Sequence, residues 1–425
     1  MKNICFCIYM HAPYRMKRYR FFDIGADHYY YEDMQTEDQV QYLVQTSYLP
    51  LCQTIAEMIR LSHGKFRCAV AVSGVMLDMF EQFSPEMIDV LKQLAATNCV
   101  EFVAMPYAYS LASQYDANEF MQQVKLHQAK INDLFATKSA ALWNTELLYD
   151  DEFALLAQKM GFKVCMTEGS KHLLSWKSPN FIYSAAAAPK TKLLLRNAIM
   201  SDDLTFRFSD NSWQGYPIDA ERWTQTIVDL PKDENIVNIW LGADTFGIRQ
   251  QAATGIFEFL KAMPYYALEK EVGFITPSEA AKQAAVDSMV VPFPNTWCGE
   301  AKDLSPINGN DLQQEALNKL YAVAERVHMV KDHSLKHDWL MLQTADNMHF
   351  MNHIDAGNTN YESAYDAFIN YMNILSDFLQ RVEEQYPTTI ENEELNGLLK
   401  TINNQNREIE ELQEELNKLR ARKSK

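Results

Sequence analysis

Short apolar runs alternate with stretches of helical period from Ile4 to Glu279. Ile4–Met10, Phe66–Ser73, Val100–Ala104, Ala140–Trp143, Val164–Thr167, Ile236–Leu241 and Gly273–Ile275 are bounded runs of strand length. Between them Val40–Leu61, Pro85–Ala95, Asn118–Phe135, Asp151–Met160 and Gly255–Ala262 carry the apolar spacing of helices facing a core. Thr276-Pro277-Ser278-Glu279 has the composition of a capped helix start. The section between Thr167 and Ile236 is less regular and rich in Ser, Ala and Trp. Strands that alternate with helices predict an α/β fold with a parallel sheet, and the length of this series favours closure into a barrel.

Val291-Pro292-Phe293-Pro294 marks a boundary, because two prolines fit neither a helix interior nor a central strand. The chain therefore divides into a barrel over residues 1–290, a helical segment over 291–388 and a tail over 389–425. In the tail, Leu395, Ile402, Ile409 and Leu416 recur at seven-residue intervals, and Leu398, Gln405, Leu412 and Leu419 hold the second seam position. That pattern predicts a short coiled coil weakened at Gln405, which either drives homo-oligomerisation through residues 395–419 or leaves a helix that lies on its own domain or frays.

A formal net charge of −17 argues against nucleic acid as a partner, since neutralising phosphates needs clustered cations. The basic run from Arg15 to Arg20 is interleaved with aromatics and reads as a loop that contacts anions or hydroxyls. Seven cysteines, most of them inside apolar runs, fit buried free thiols in a reducing compartment. Cys5 and Cys7 alternate with Ile4, Phe6 and Ile8, as strand residues do. No stretch approaches 18 apolar residues, so neither a membrane span nor a membrane partner is expected and the cytoplasm is the predicted location.

Trp143-Asn144-Thr145-Glu146 places a carboxylate directly after a short apolar run. In a barrel of parallel strands, side chains at the carboxyl ends of the strands converge on substrate. Glu146 reads as an acid group beside a sugar-stacking Trp143, or else as the cap of the helix that begins near Asp150-Asp151. His11-Ala12-Pro13 closes the first strand, where a His held by a stiff loop can bond a hydroxyl; Arg15 lies close by in sequence. Trp213, among Asp210, Asn211 and Ser212, is a candidate exposed stacking residue. Gly25 and Gly74 read as turns. His333 and His337 share helical spacing but lack an evident third ligand; neither a metal site nor a cofactor is expected.

Five segments in order resemble the signature regions of glycoside hydrolase family 57, a group of α-amylases and glucan transferases. They are His11-Ala12-Pro13-Tyr14-Arg15; Cys99-Val100-Glu101-Phe102 with Met105-Pro106-Tyr107-Ala108-Tyr109; Trp143-Asn144-Thr145-Glu146; Gly242-Ala243-Asp244-Thr245-Phe246-Gly247; and Thr344-Ala345-Asp346. The resemblance implies a seven-stranded (β/α) barrel followed by a helical bundle, and retaining chemistry on α-glucans or maltooligosaccharides. It makes Glu146 the nucleophile. The substrate-binding candidates are His11, Arg15, Tyr107, Tyr109, Trp143, Phe246 and Asp346 from these segments, with Trp213 added for its polar setting alone.

The fourth region departs from the family pattern Asp-x-Glu-x-Phe-Gly, whose leading Asp is the general acid. Gly242 stands in the first place and Asp244 in the third. Tyr109 stands where a His is common, and Ile248-Arg249 replaces polar residues. Were residues 242–244 extended, side chains two apart would share a face. Asp244 would then lean into the cavity a residue at 242 would face and serve as the acid, with Gly242 leaving room for water, unless a nearby Arg249 opposed it. The alternative is an α-amylase-like carbohydrate-binding or regulatory protein without catalytic activity.

Overall fold

The computed structural model describes residues 2–352 and 361–385, with short pieces between 397 and 416. Ten strands carry the fold: β1 (Asn3–Met10), β2 (Cys68–Val72), β3 (Val100–Phe102), β4 (Ala141–Trp143), β5 (Val164–Glu168), β6 (Tyr183–Ala185), β7 (Lys192–Arg196), β8 (Ile236–Gly242), β9 (Gly273–Phe274) and β10 (Asp287–Met289). β1 is the centre of one sheet, ordered β3-β2-β1-β8 and parallel throughout, with β9 pairing the first residues of β1. The second sheet runs β10-β6-β7-β5-β4, and only its β6–β7 pair is antiparallel.

Contacts at both edges join these sheets into one curled surface. Ala104, just past β3, bridges Leu142 of β4 in parallel. On the far side the Asn238 amide of β8 donates to the Leu195 carbonyl of β7 at 2.8 Å, and the Asn197 N–H donates to the Asn238 carbonyl at 2.8 Å. β1, β2, β5 and β8 are buried almost throughout. Continuous apolar runs are what strands covered on both faces require.

The strands read from the sequence appear within one or two residues of their expected ends. The section read as irregular instead holds β6, β7 and the helix Ala220–Val228. Its strands are short, and in β7 the apolar Leu193–Leu195 is flanked by Lys192 and Arg196, so charge hides the run. Gly74 is not a turn: it opens the helix Gly74–Phe83, capped by Ser73, whose hydroxyl accepts from the Met76 N–H. A Cβ there would stand 2.3 Å from the Tyr107 ring, which lies against the helix start.

Chain contacts divide the molecule into two compact units. The first comprises Met1–Arg15 with Glu32–Asn308, and the second comprises Met16–Tyr31 with the described residues from Gly309 onward. In the second unit, Asp311–Tyr321, His333–Leu342 and Asp346–Phe350 pack on the long helix Ala364–Gln385. Buried Asp377 of that helix accepts from the Gly25 N–H, His28 Nδ1 and the Tyr30 hydroxyl, and so fastens the 16–31 segment to it. The predicted coiled coil falls in a stretch described only in part. Leu395 and Leu419 lie outside the described residues, and Leu398, Ile402, Ile409, Leu412 and Leu416 are exposed. Among the described residues no helix is long and apolar enough to cross a membrane, and all seven cysteines are buried and unbridged.

Candidate active site

β4 ends at Trp143, and the chain turns sharply over Thr145–Leu147. Asn144 organises the turn: its Oδ1 accepts from the Thr145 N–H and its amide donates to the Leu148 carbonyl at 3.1 Å. Within it Glu146 adopts φ 54°, ψ 27°, the left-handed region that a residue bearing a Cβ seldom enters. Such a conformation persists only where its surroundings over-determine it, and it is concentrated at functional sites. Here the surroundings do so. The Glu146 N–H donates to the Tyr109 hydroxyl at 3.0 Å, and its carbonyl accepts from the Trp297 N–H at 3.1 Å. Its carboxylate Oε2 accepts from Trp297 Nε1 at 2.5 Å and from the Cys298 thiol at 2.9 Å. Burial, and then the neighbouring Glu146 charge, push the Cys298 thiol far up, so it stays protonated and donates. The capping reading of Glu146 falls away, because Asp150 caps the helix Asp151–Lys159 by accepting from the Phe153 N–H at 2.7 Å.

Tyr9 of β1 connects Glu146 to the end of β8. Its ring stacks on Trp143 at 5.8 Å and on Tyr109 at 5.1 Å, and meets Trp297 edge-on at 5.8 Å. Across the sheet Tyr9 pairs in register with Gly242. Residues 242–244 are not extended, contrary to the sequence expectation: Ala243–Thr245 forms a single turn of 3-10 helix. The chain therefore doubles back, and a Cβ built on Gly242 would lie 2.3 Å from Asp244 Oδ1. The space that Gly242 was expected to leave for water is filled by the Asp244 carboxylate. Asp244 Oδ2 is ion-paired with Arg249 Nε at 2.5 Å, and the Arg249 N–H bonds the Asp244 carbonyl at 2.8 Å.

A second charged group at strand ends escaped the sequence reading. Glu168 closes β5 and Arg196 closes β7, both buried. The Arg196 guanidinium donates to Glu168 Oε2 at 2.9 Å, to Asp202 Oδ1 at 2.5 Å and to the Trp240 carbonyl at 2.9 Å. It also lies 5.7 Å from the centre of the Trp297 ring. Burial raises the Glu168 carboxyl despite the opposing charge of Arg196. Asn295 anchors the segment that carries Trp297 and Cys298, its amide donating to Thr167 Oγ1 and to the Glu168 carbonyl. The only sequence signal was a charged residue closing each apolar run, a pattern common to many strand ends.

The other expected site residues separate into groups. His11 Nδ1 is 2.7 Å from the Ser73 hydroxyl, and its ring packs on Tyr109 at 4.4 Å, so both adjoin Tyr9. Arg15 is half-buried, with its backbone N–H on Thr36 Oγ1. Tyr107 is buried, its hydroxyl donating to the Asp78 carboxylate at 2.7 Å. Trp143 and Phe246 are fully buried, so neither ring offers a face to a sugar; Trp143 packs against Tyr9, Trp240 and Trp297 instead. Trp213 is half-buried rather than exposed, its ring lying where any side chain on Gly215 would collide. Asp346 belongs to the second unit.

A curled parallel sheet thus carries, at its strand ends, a braced carboxylate and a cluster of aromatic rings. The chain belongs to glycosyl hydrolase family 57, whose sequence pattern matches residues 5–292. It is 29% identical over 360 residues to a Methanocaldococcus jannaschii protein described as "Putative alpha-amylase", covering 79% of this chain and 75% of that one. Among solved structures, a family 57 branching enzyme from Pyrococcus horikoshii superimposes with TM-score 0.66 at 12% identity, covering 95% of this chain and 94% of that one. A 4-α-glucanotransferase from Thermococcus litoralis gives 0.62 at 14% identity, covering 88% of this chain but 59% of that one.

Proposed function

We propose that this chain performs retaining chemistry on α-glucans at the mouth of a seven-stranded (β/α) barrel, with Glu146 as nucleophile and Asp244 as acid and base. The run of β3, β2, β1 and β8 in one sheet and β7, β5 and β4 in the other, with the contacts that join the sheets at both edges, supports the barrel. The names of the relatives support the substrate class. The observation that carries the catalytic reading is the position of Asp244 Oδ1, 2.3 Å from where a Cβ on Gly242 would stand. The turn over 243–245 brings the carboxylate from position 244 back to the place of a side chain at 242.

In the first step a Glu146 oxygen bonds to the anomeric carbon as the glycosidic C–O bond breaks, and Asp244 gives its proton to the departing oxygen. In the second, Asp244 takes a proton from water, or from an acceptor sugar hydroxyl, as that oxygen displaces Glu146. Two such carboxyls work about 5–5.5 Å apart. The Trp297 indole and the Cys298 thiol both donate to Glu146 Oε2 and orient the nucleophile, which is what a near-attack geometry requires. One observation favours a second reading, carbohydrate binding without turnover. Asp244 is paired to Arg249, and it must leave that pair to carry a proton.

Turnover of maltooligosaccharides by the wild type, Glu146→Gln and Asp244→Asn separates the readings. Loss of rate by about 10² to 10⁴ in Asp244→Asn, and at least as much in Glu146→Gln, with α-configured products from the wild type, is the expected result. Binding without turnover in the wild type would overturn the enzymatic reading in favour of the second.

A further inference from the structure

Phe206 is 59% exposed although its neighbours Leu204, Thr205 and Phe208 are all buried. A lone exposed apolar residue is ordinary on a protein surface. What distinguishes Phe206 is its connection to Asp244. The Arg249 guanidinium lies 5.6 Å from the centre of the Phe206 ring, and the same guanidinium holds the Asp244 carboxylate at 2.5 Å. Ring, cation and carboxylate form one continuous surface past the end of β8.

That surface is fastened to its strand. Phe206 sits in a π-helical turn, Asp203–Arg207, that follows β7 through the short helix Ala198–Asp202. Such turns often occur at functional sites. The turn is tied to the β8 loop by two bonds: the Thr205 and Thr245 hydroxyls lie 3.3 Å apart, and the Gln250 amide donates to the Thr205 carbonyl at 3.0 Å. The ring is therefore carried on rigid backbone, with one side toward Arg249 and the rest open to solvent.

We infer that Phe206, Arg249 and Asp244 form a sugar subsite that takes the glucosyl unit on the leaving-group side of the scissile bond. This rests on the proposed role of Asp244: the sugar that departs is the one whose oxygen Asp244 protonates, so it lies over the neighbouring ring. The C–H face of a pyranose stacks on an aromatic ring, while a guanidinium donates to hydroxyls and a carboxylate accepts from them. The same subsite receives the acceptor in the second step. Its occupancy sets how much product comes from transfer rather than from hydrolysis.

The test separates binding from turnover. In the Glu146→Gln background, calorimetric titration with maltotetraose is compared for Phe206, Phe206→Ala and Phe206→Trp. The Ala variant is expected to bind about ten-fold more weakly, the loss of one stacking contact. The Trp variant is expected to retain affinity and to show indole fluorescence that changes on binding. With Glu146 restored, Phe206→Ala should raise KM and lower the transfer-to-hydrolysis ratio several-fold at unchanged melting temperature. Equal affinity in the Ala and Phe proteins, or no maltotetraose binding in either, overturns the subsite. Affinity lost in the Ala variant without wild-type turnover overturns the leaving-group assignment together with the catalytic reading, and leaves a sugar-binding surface at Phe206. Turnover abolished by Glu146→Gln but untouched by Phe206→Ala sinks the subsite alone.

Discussion

Trp297 holds Glu146 twice: its backbone N–H bonds the Glu146 carbonyl at 3.1 Å, and its indole N–H bonds the carboxylate at 2.5 Å. The pair fixes both the strained turn and the direction of the side chain. Trp297→Phe keeps the ring and removes the indole donor. A hydrogen bond to a charged group contributes about 1.5–3 kcal/mol, so kcat should fall roughly ten- to hundred-fold. KM should change little. Steady-state kinetics on maltooligosaccharides, with a thermal melt as control, check this.

Gly242 tolerates no side chain while Asp244 stands where it does. Gly242→Ala should therefore lower activity by displacing the Asp244 carboxylate, and Gly242→Asp should not raise it. The double variant Gly242→Asp with Asp244→Gly removes the collision and returns an acid to position 242. Its rate should exceed that of either single variant. A rise in rate for Gly242→Asp alone would show that the acid belongs at 242.

Arg196 is buried among Glu168, Asp202 and the Trp297 ring. Arg196→Met leaves Glu168 with a buried charge and no partner, which typically costs about 3–5 kcal/mol. Adding Glu168→Gln removes that charge and should recover much of the loss. Urea unfolding of the two variants measures the difference. Activity of the double variant then reports how far Arg196 also orients Trp297.

His127 is buried, with Nε2 donating to the Val72 carbonyl at 2.7 Å and Nδ1 accepting from the Met105 N–H at 3.3 Å. Both nitrogens are committed as in the neutral ring, and burial pushes its pKa down to about 4. Between pH 4 and the ordinary value near 6.5, the unfolded chain binds a proton that the folded one does not. Stability from this group is complete above about pH 6.5 and lost as pH falls toward 4, by roughly 3 kcal/mol. His127→Gln should flatten that part of the stability–pH curve measured by denaturant unfolding. An unchanged slope would place the titration elsewhere.

The sequence carried the strands because each is an apolar run covered on both faces. Ile4–Met10 and Ile236–Leu241 are legible for that reason, and they pair as neighbours. β7 was missed because Lys192 and Arg196 flank so few apolar residues. The position of Glu146 at the end of β4 was legible from its place after Trp143. Its partners were not: Trp297 and Cys298 lie about 150 positions away, and nothing local announces that the segment after Pro294 returns to β4. The register of Asp244 over Gly242 was misread because a turn and an extended tripeptide have the same composition there. Phe206 gave no signal at all, since its exposure is decided by the π-helical turn around it.

The seven buried thiols have a consequence for how this molecule can be observed. Burial holds Cys5, Cys7, Cys68, Cys165 and Cys298 protonated and pushes Cys52 up to about 12. Alkylating reagents attack thiolates, so these sulfurs are silent until the chain around them opens. Cys5 and Cys7 report on β1, Cys165 on the second sheet, and Cys298 on the loop that braces Glu146. The order in which a brief alkylation pulse labels them would time the opening of each region in the unmodified protein.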